Sequence, residues 1–171
     1  MNSKPMLISA PLQPGLRASG WVPRALAAVH QAVAGLDWAQ APALLLARLY
    51  VAQVFWLSGL TKIRDWETTL ALFENEYQVP LLSPVLAAWM GTAGELALPV
   101  LLVLGLGGRF AALGLSVVNV MAVLSLPDMP PAARSLHDLW GVLLLMVVLF
   151  GPGRWALDHW IQRWLRSDPI R

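Results

Sequence analysis

Residues 77–108 read YQVPLLSPVLAAWMGTAGELALPVLLVLGLGG, and Glu95 is the only charged side chain among them. About 20 mostly apolar residues span roughly 30 Å of hydrocarbon, so this stretch is long enough to cross a bilayer with Glu95 near its middle. A second stretch, residues 38–61, holds Arg48 as its only charge. A lone ionised group at such depth costs about 2.5–3.5 kcal/mol on insertion scales and normally turns inward to a partner. One acid and one base, each isolated in its own apolar segment, predict a polar pair inside an all-α, integral membrane four-helix bundle.

Composition agrees. Of 171 residues, 57% are apolar and 13% are charged, where a soluble domain carries about 45–50% and 25%. The expected partner is therefore the lipid bilayer. Net charge is +2 and the arginines are scattered, which gives nucleic acid no basic patch to bind. The absence of cysteine removes disulfides, thiolate metal sites and dithiol relays. His30, His137 and His159 fall in separate segments without ligand spacing, so no metal site is expected.

Residues 1–22 are interrupted by Pro5, Pro11, Pro14, Gly15 and Gly20, and they predict a disordered tail instead of a signal peptide. Over residues 23–40, Pro23 opens a segment in which Leu26, Val29, Val33 and Leu36 recur at helical spacing, as in an amphipathic interfacial helix. Residues 41–166 hold four spans at about 42–63, 83–105, 108–126 and 136–150, followed by a C-terminal tail at 167–171. The turn Gly105-Leu106-Gly107-Gly108 is tight enough to make the second and third spans antiparallel neighbours. The fourth is the shortest and needs His137 and Asp138 to reach full length. Trp66, Thr69, Leu70, Phe73 and Tyr77, with Asp65 as cap, predict a second interfacial helix. A third follows Gly153 and carries Trp155, Trp160 and Trp164 for the aromatic belt. With four spans both termini share one side. That side carries Lys4, Arg17, Arg24, Arg109, Arg154, Arg163, Arg166 and Arg171, against Lys62, Arg64 and Arg134 opposite. The positive-inside rule then places both termini in the cytoplasm.

Ala52, Phe55, Gly59 and Lys62 all fall within about 40° of Arg48 at 100° per residue, so both basic residues share a stripe. Ala87, Gly91 and Glu95 form a small-xxx-small-xxx-Glu line that admits a close neighbour. Arg48 lies about 9 Å inside Pro42 and Glu95 about 15 Å from Gly105, a gap that the arginine side chain can bridge. Asn119, about 16 Å into the third span, joins them. Lys62, Asp65, His137 and Asp138 gather in a second polar layer at the opposite end, while Gln53 faces lipid or a partner subunit. Arg48, Glu95, Asn119, Lys62 and His137 are the candidate ligand-binding residues, and no catalytic residue stands out. Two roles are open to the buried pair: fixing helix register, or shaping a small cavity for a ligand, a proton or a quinone headgroup. For Lys62 and His137 interfacial snorkelling is the alternative to chemistry. Gly-x-Ser-x-Gly, phosphate-loop and His-Glu-x-x-His signatures are absent.

Read in order, Ala47-Arg48-Leu49, Ser58-Gly59-Leu60-Thr61-Lys62, Glu95, Leu104-Gly105-Leu106 with Arg109, Trp140, and Gly151-Pro152-Gly153 followed by Asp158 resemble the DoxX family of bacterial four-helix membrane proteins. The resemblance covers about residues 43–160. It implies the fold and the membrane location. Because the family takes its name from a membrane subunit of a thiosulfate:quinone oxidoreductase, it also implies an accessory role in a redox, sulfur-stress or metal-stress pathway. The implied cofactor is quinone, and the implied partner is a redox subunit or a second copy of the chain. At most the chain would be a subunit of a quinone-linked oxidoreductase, and without cysteine it carries no covalent sulfur itself. The expectation is a bacterial inner-membrane protein with a small polar cavity. The alternative is a small-solute transporter or membrane scaffold without redox chemistry.

Overall fold

A computed structural model describes residues 20–166. Among them are six helices and no strand: α1 Trp21–Arg64, α2 Trp66–Asn75, α3 Pro84–Leu104, α4 Gly108–Ser125, α5 Pro131–Phe150 and α6 Leu157–Arg166. Four of these, α1, α3, α4 and α5, are long and apolar enough to cross a membrane. With large apolar side chains such as Leu46, Val100, Phe110, Leu113, Val120 and Leu149 exposed along them, the chain is an all-α integral membrane protein.

The chain divides into two units, ending and beginning at Leu36 and Asp37. The described part of the first is helical, with Trp21, Leu26, Val29, Val33 and Leu36 exposed. The separate interfacial helix expected over 23–40 is not a separate element, because α1 is assigned without interruption from Trp21 through Pro42. Proline removes one i→i−4 bond, but residues 37–41 hold no glycine turn that would stop the helix. The tail expected at residues 1–22 lies outside the described residues up to residue 19, while Trp21 and Val22 are helical. The C-terminal tail at 167–171 also lies outside them.

In the second unit the core is built from Val51, Ala52 and Phe55 of α1, Leu102 of α3, Ala111, Ala112 and Leu115 of α4, and Leu144 and Val147 of α5. A smaller cluster seats Phe73 of α2 against Ala87 and Ala88 of α3. The chain runs up, down, up and down through α1, α3, α4 and α5. One end gathers the α3–α4 turn, the end of α5 and α6. The other gathers the end of α1, α2, and the start of α3 and α5.

Local chemistry fixes the boundaries. Ser83 caps α3 by accepting from the Leu86 N–H, and Pro84 occupies the first turn, where its missing N–H costs nothing. At the other end Gly105 adopts φ 65°, and the Leu106 N–H reaches back to the Leu101 carbonyl. α4 has no cap of its own. The Asp158 carboxylate supplies one, accepting from the Gly107 and Gly108 N–H groups at 2.9 Å each. α5 begins at Pro131, earlier than residue 136, because Pro131 presets the first turn and Arg134 pairs with Asp138 one turn on at 3.3 Å. Within α3, Pro99 stands one turn after Glu95 and offers no N–H to the Glu95 carbonyl.

Candidate functional site

The site starts from a glycine. A Cβ on Gly59 would lie 2.8 Å from Leu96 Cδ2 and 3.2 Å from Glu95 Cβ, so only glycine lets α1 approach α3 this closely. That contact sets the register, and Lys62, nearly one turn further along α1, lands on Glu95. Its Nζ donates to both carboxylate oxygens, at 2.6 and 2.8 Å, and to Ser58 Oγ at 2.9 Å. All three ammonium protons are thereby used. Glu95 is 7% exposed, so the pair is shielded along most of its carboxylate side.

Glu95 therefore pairs with Lys62 and not with Arg48. The expected stripe on α1 exists, but Lys62 and not Arg48 is the rung that meets Glu95, about 21 Å beyond Arg48 along the helix. Arg48 is fully buried at the α6 end, where its Nη2 donates to the Trp155 carbonyl at 2.9 Å. Its guanidinium rests against Gly105, whose missing side chain makes the space. Arg48 thus fastens the segment after α5 to the bundle, alongside Asp158, whose N–H donates to the Gly105 carbonyl at 3.0 Å.

Asn119 does not join Arg48 or Glu95 either. Its Nδ2 donates to the His137 carbonyl at 2.9 Å, and its Oδ1 lies 2.8 Å from His137 Nδ1. Because the amide nitrogen is already committed as a donor, Oδ1 must accept, and Nδ1 must carry the proton. A neutral His137 is then left with Nε2 as a free acceptor. The second polar layer is also redistributed. Asp65 caps α2 through Thr68, whose hydroxyl and N–H hold its carboxyl below the ordinary aspartate value. Asp138 pairs with Arg134 on an exposed face.

Lys62, Glu95, Ser58 and His137 open together onto a cavity of about 470 Å³ that also meets Tyr77 and Trp140. Apart from Ser125 the remaining wall is apolar, with Phe55, Phe73, Val79, Met90, Met121 and Met129. Trp140 packs edge-on against Phe55 and against His137, at centroid distances of 6.0 and 4.8 Å. Its buried indole N–H has no hydrogen-bond partner. Burial, reinforced by the charges of Glu76 and Glu95, raises the Tyr77 phenol above its usual value and keeps it protonated. The polar lining is thus an ion pair whose ammonium protons are engaged, a serine hydroxyl, a protonated phenol and an imidazole. Among the described residues no group of three or more His, Cys, Asp or Glu side chains could hold a metal ion. Sequence reasoning passed over Ser58, Tyr77 and Trp140 as cavity residues, although Ser58 and Lys62 stand one helical turn apart.

Residues 43–127 match the family model described as DoxX. The chain belongs to the DoxX family. The matched segment of this DoxX protein contains Gly59, Lys62, Glu95 and Asn119, whereas His137 and Trp140 lie beyond it. No curated protein and no solved structure matches the chain.

Proposed function

We propose that this DoxX protein binds a quinone-type headgroup in the cavity beside Lys62 and Glu95. It would act as an accessory subunit of a redox-linked pathway in the bacterial inner membrane. The observation that carries the reading is a Lys62–Glu95 ion pair opening, together with His137, onto a largely apolar-walled space of about 470 Å³. A small planar ring with two carbonyls suits that wall. One carbonyl would accept from Lys62 in place of Ser58 Oγ, and a reduced hydroxyl would donate to His137 Nε2. Glu95 sits about 15 Å from the Gly105 end of α3, which puts the headgroup within reach of the bilayer interior. A partner subunit supplies or takes the electrons, and this chain holds the ring.

Orientation belongs to the same reading. The α6 end carries Arg109, Arg154, Arg163 and Arg166, against Lys62, Arg64 and Arg134 at the α2 end. Positive-inside logic sets the α6 end in the cytoplasm, with both termini there. Reporter fusions at Arg171 and within residues 65–76 should report opposite compartments.

The deciding experiment is a lipid extract of the purified protein analysed for quinone, followed by quinone titration of wild type, His137→Leu and Lys62→Met. Wild type should retain quinone, and each substitution should weaken binding about tenfold or more, as expected for one lost hydrogen bond to a charged or buried group. Wild-type protein that neither carries nor binds quinone would remove the redox reading in favour of solute transport or scaffolding.

A further inference from the structure

The cavity is open on its lipid side. Met90 of α3 and Val117 of α4 both line it, yet they are 56% and 57% exposed. A residue that touches a cavity on one side and the bilayer on the other marks the rim of an opening. Toward the Gly105 end the same two helices are closed against each other. A Cβ on Gly94 would lie 3.2 Å from Val118, and one on Gly114 would lie 2.7 Å from Leu98 Cδ1. Toward the other end the segment after α2 straps the pair, with the Gln78 N–H donating to the Ser125 carbonyl at 2.8 Å. The gap between these two closures is edged by Met90 and Met121, with Val117 at its corner beside the Val118 contact, and no charge lies on it.

We infer that the ligand is a two-part lipophile. Its polar ring lies in the cavity, and its apolar tail leaves sideways between α3 and α4 into the acyl region. This rests on the headgroup reading above and adds the shape of the ligand and its route. Small-molecule sites run to roughly 300–1,000 Å³, so about 470 Å³ accommodates a substituted ring but not a long isoprenoid chain as well. The chain must leave, and an apolar slot at membrane depth lets it do so without crossing a charged surface. A molecule already dissolved in the bilayer reaches the site without passing through water. The cavity has a second edge at Pro130, which is exposed at the α2 end. A water-soluble ligand would use that edge.

The test compares two probes in nanodiscs: the ubiquinone ring without a side chain, and the same ring with a long isoprenoid tail, each expressed per membrane concentration. Wild type should bind both to a similar extent. Met90→Trp/Val117→Trp should weaken the tailed probe about tenfold or more while sparing the tailless one, because bulk in the slot blocks only the chain. A photoreactive group on the tail provides a wild-type measurement that does not depend on how the variant folds, and it should label Met90, Val117 or Met121. Binding of the tailless ring without the tailed one, or labelling at Pro130 and Ala133, would overturn the sideways route and leave the headgroup site standing. Failure of both probes would remove the headgroup reading and this inference with it.

Discussion

Replacing Glu95 by Gln leaves the Lys62 ammonium without its anion. Its Nζ now sits 2.6 Å from one carboxylate oxygen and 2.8 Å from the other, with Ser58 as its further partner among the described residues. Removing one member of a buried pair costs about 3–5 kcal/mol in soluble proteins. Lys62 keeps 20% side-chain exposure and stands in the last turn of α1, so part of that is recovered by turning toward the interface. About 2–3 kcal/mol is therefore expected for Glu95→Gln. Lys62→Met instead strands a carboxylate at bilayer depth, at about 2.5–3.5 kcal/mol. The double variant removes both charges, and it should fall short of the summed single costs by about 1–3 kcal/mol, the range for residues in direct contact. A parallel cycle with Arg48→Met and Glu95→Gln should be additive within about 0.5 kcal/mol, because the two sites share no partner. Reversible unfolding in mixed detergent supplies all the free energies. Additivity in the Lys62 cycle, or equal coupling in the Arg48 cycle, would refute the register drawn from Gly59.

Gly105→Ala must place a Cβ 2.5 Å from the Ala156 Cβ and 2.8 Å from its Cα while holding φ at 65°. A stability loss of about 2–5 kcal/mol follows in the same unfolding assay. Asp158→Ala removes the acceptor for the first N–H groups of α4, and should cost about 1–2 kcal/mol and speed hydrogen exchange at Gly107 and Gly108. Asn119→Leu takes away the acceptor that fixes the His137 proton on Nδ1, and nitrogen NMR of the ring should show the tautomer released. Asp65 has a folded pKa below its unfolded one, so its support for α2 is present above the ordinary aspartate value and lost as pH falls through the depressed one. Circular dichroism of Asp65→Ala should lack this acid-side fraying.

The elements that were legible in the sequence carry their own terminators. Ser83-Pro84 and Gly105 bound α3 within a residue of expectation, and the glycine turn made α3 and α4 neighbours. The beginning of α5 was missed because Pro130-Pro131 reads equally as a loop, and only the backbone shows Pro131 opening a helix. The polar stripe on α1 was visible from its period. Which rung meets Glu95 was not, because that depends on the offset α2 introduces between α1 and α3 and on the close approach at Gly59. Depths counted from helix ends put Arg48 and Asn119 beside Glu95, whereas packing drew one to Trp155 and the other to His137. The Trp140 contribution needed three dimensions, since an indole in an apolar run gives no sign of whether its N–H will find an acceptor.

Pro99 gives α3 a mechanical property. With no N–H four residues beyond it, the Glu95 carbonyl is released from the helix ladder, and the rod can flex at that level without breaking a backbone hydrogen bond. The half toward Gly105 is clamped by its turn and by the close approach of Leu98 to Gly114 of α4. The half carrying Met90 is held to α1 by the Lys62–Glu95 strut and to α2 by Phe73. A pivot thus sits directly beneath the slot, and any molecule that competes for the Lys62 ammonium loosens the strut that keeps the upper arm of α3 in place.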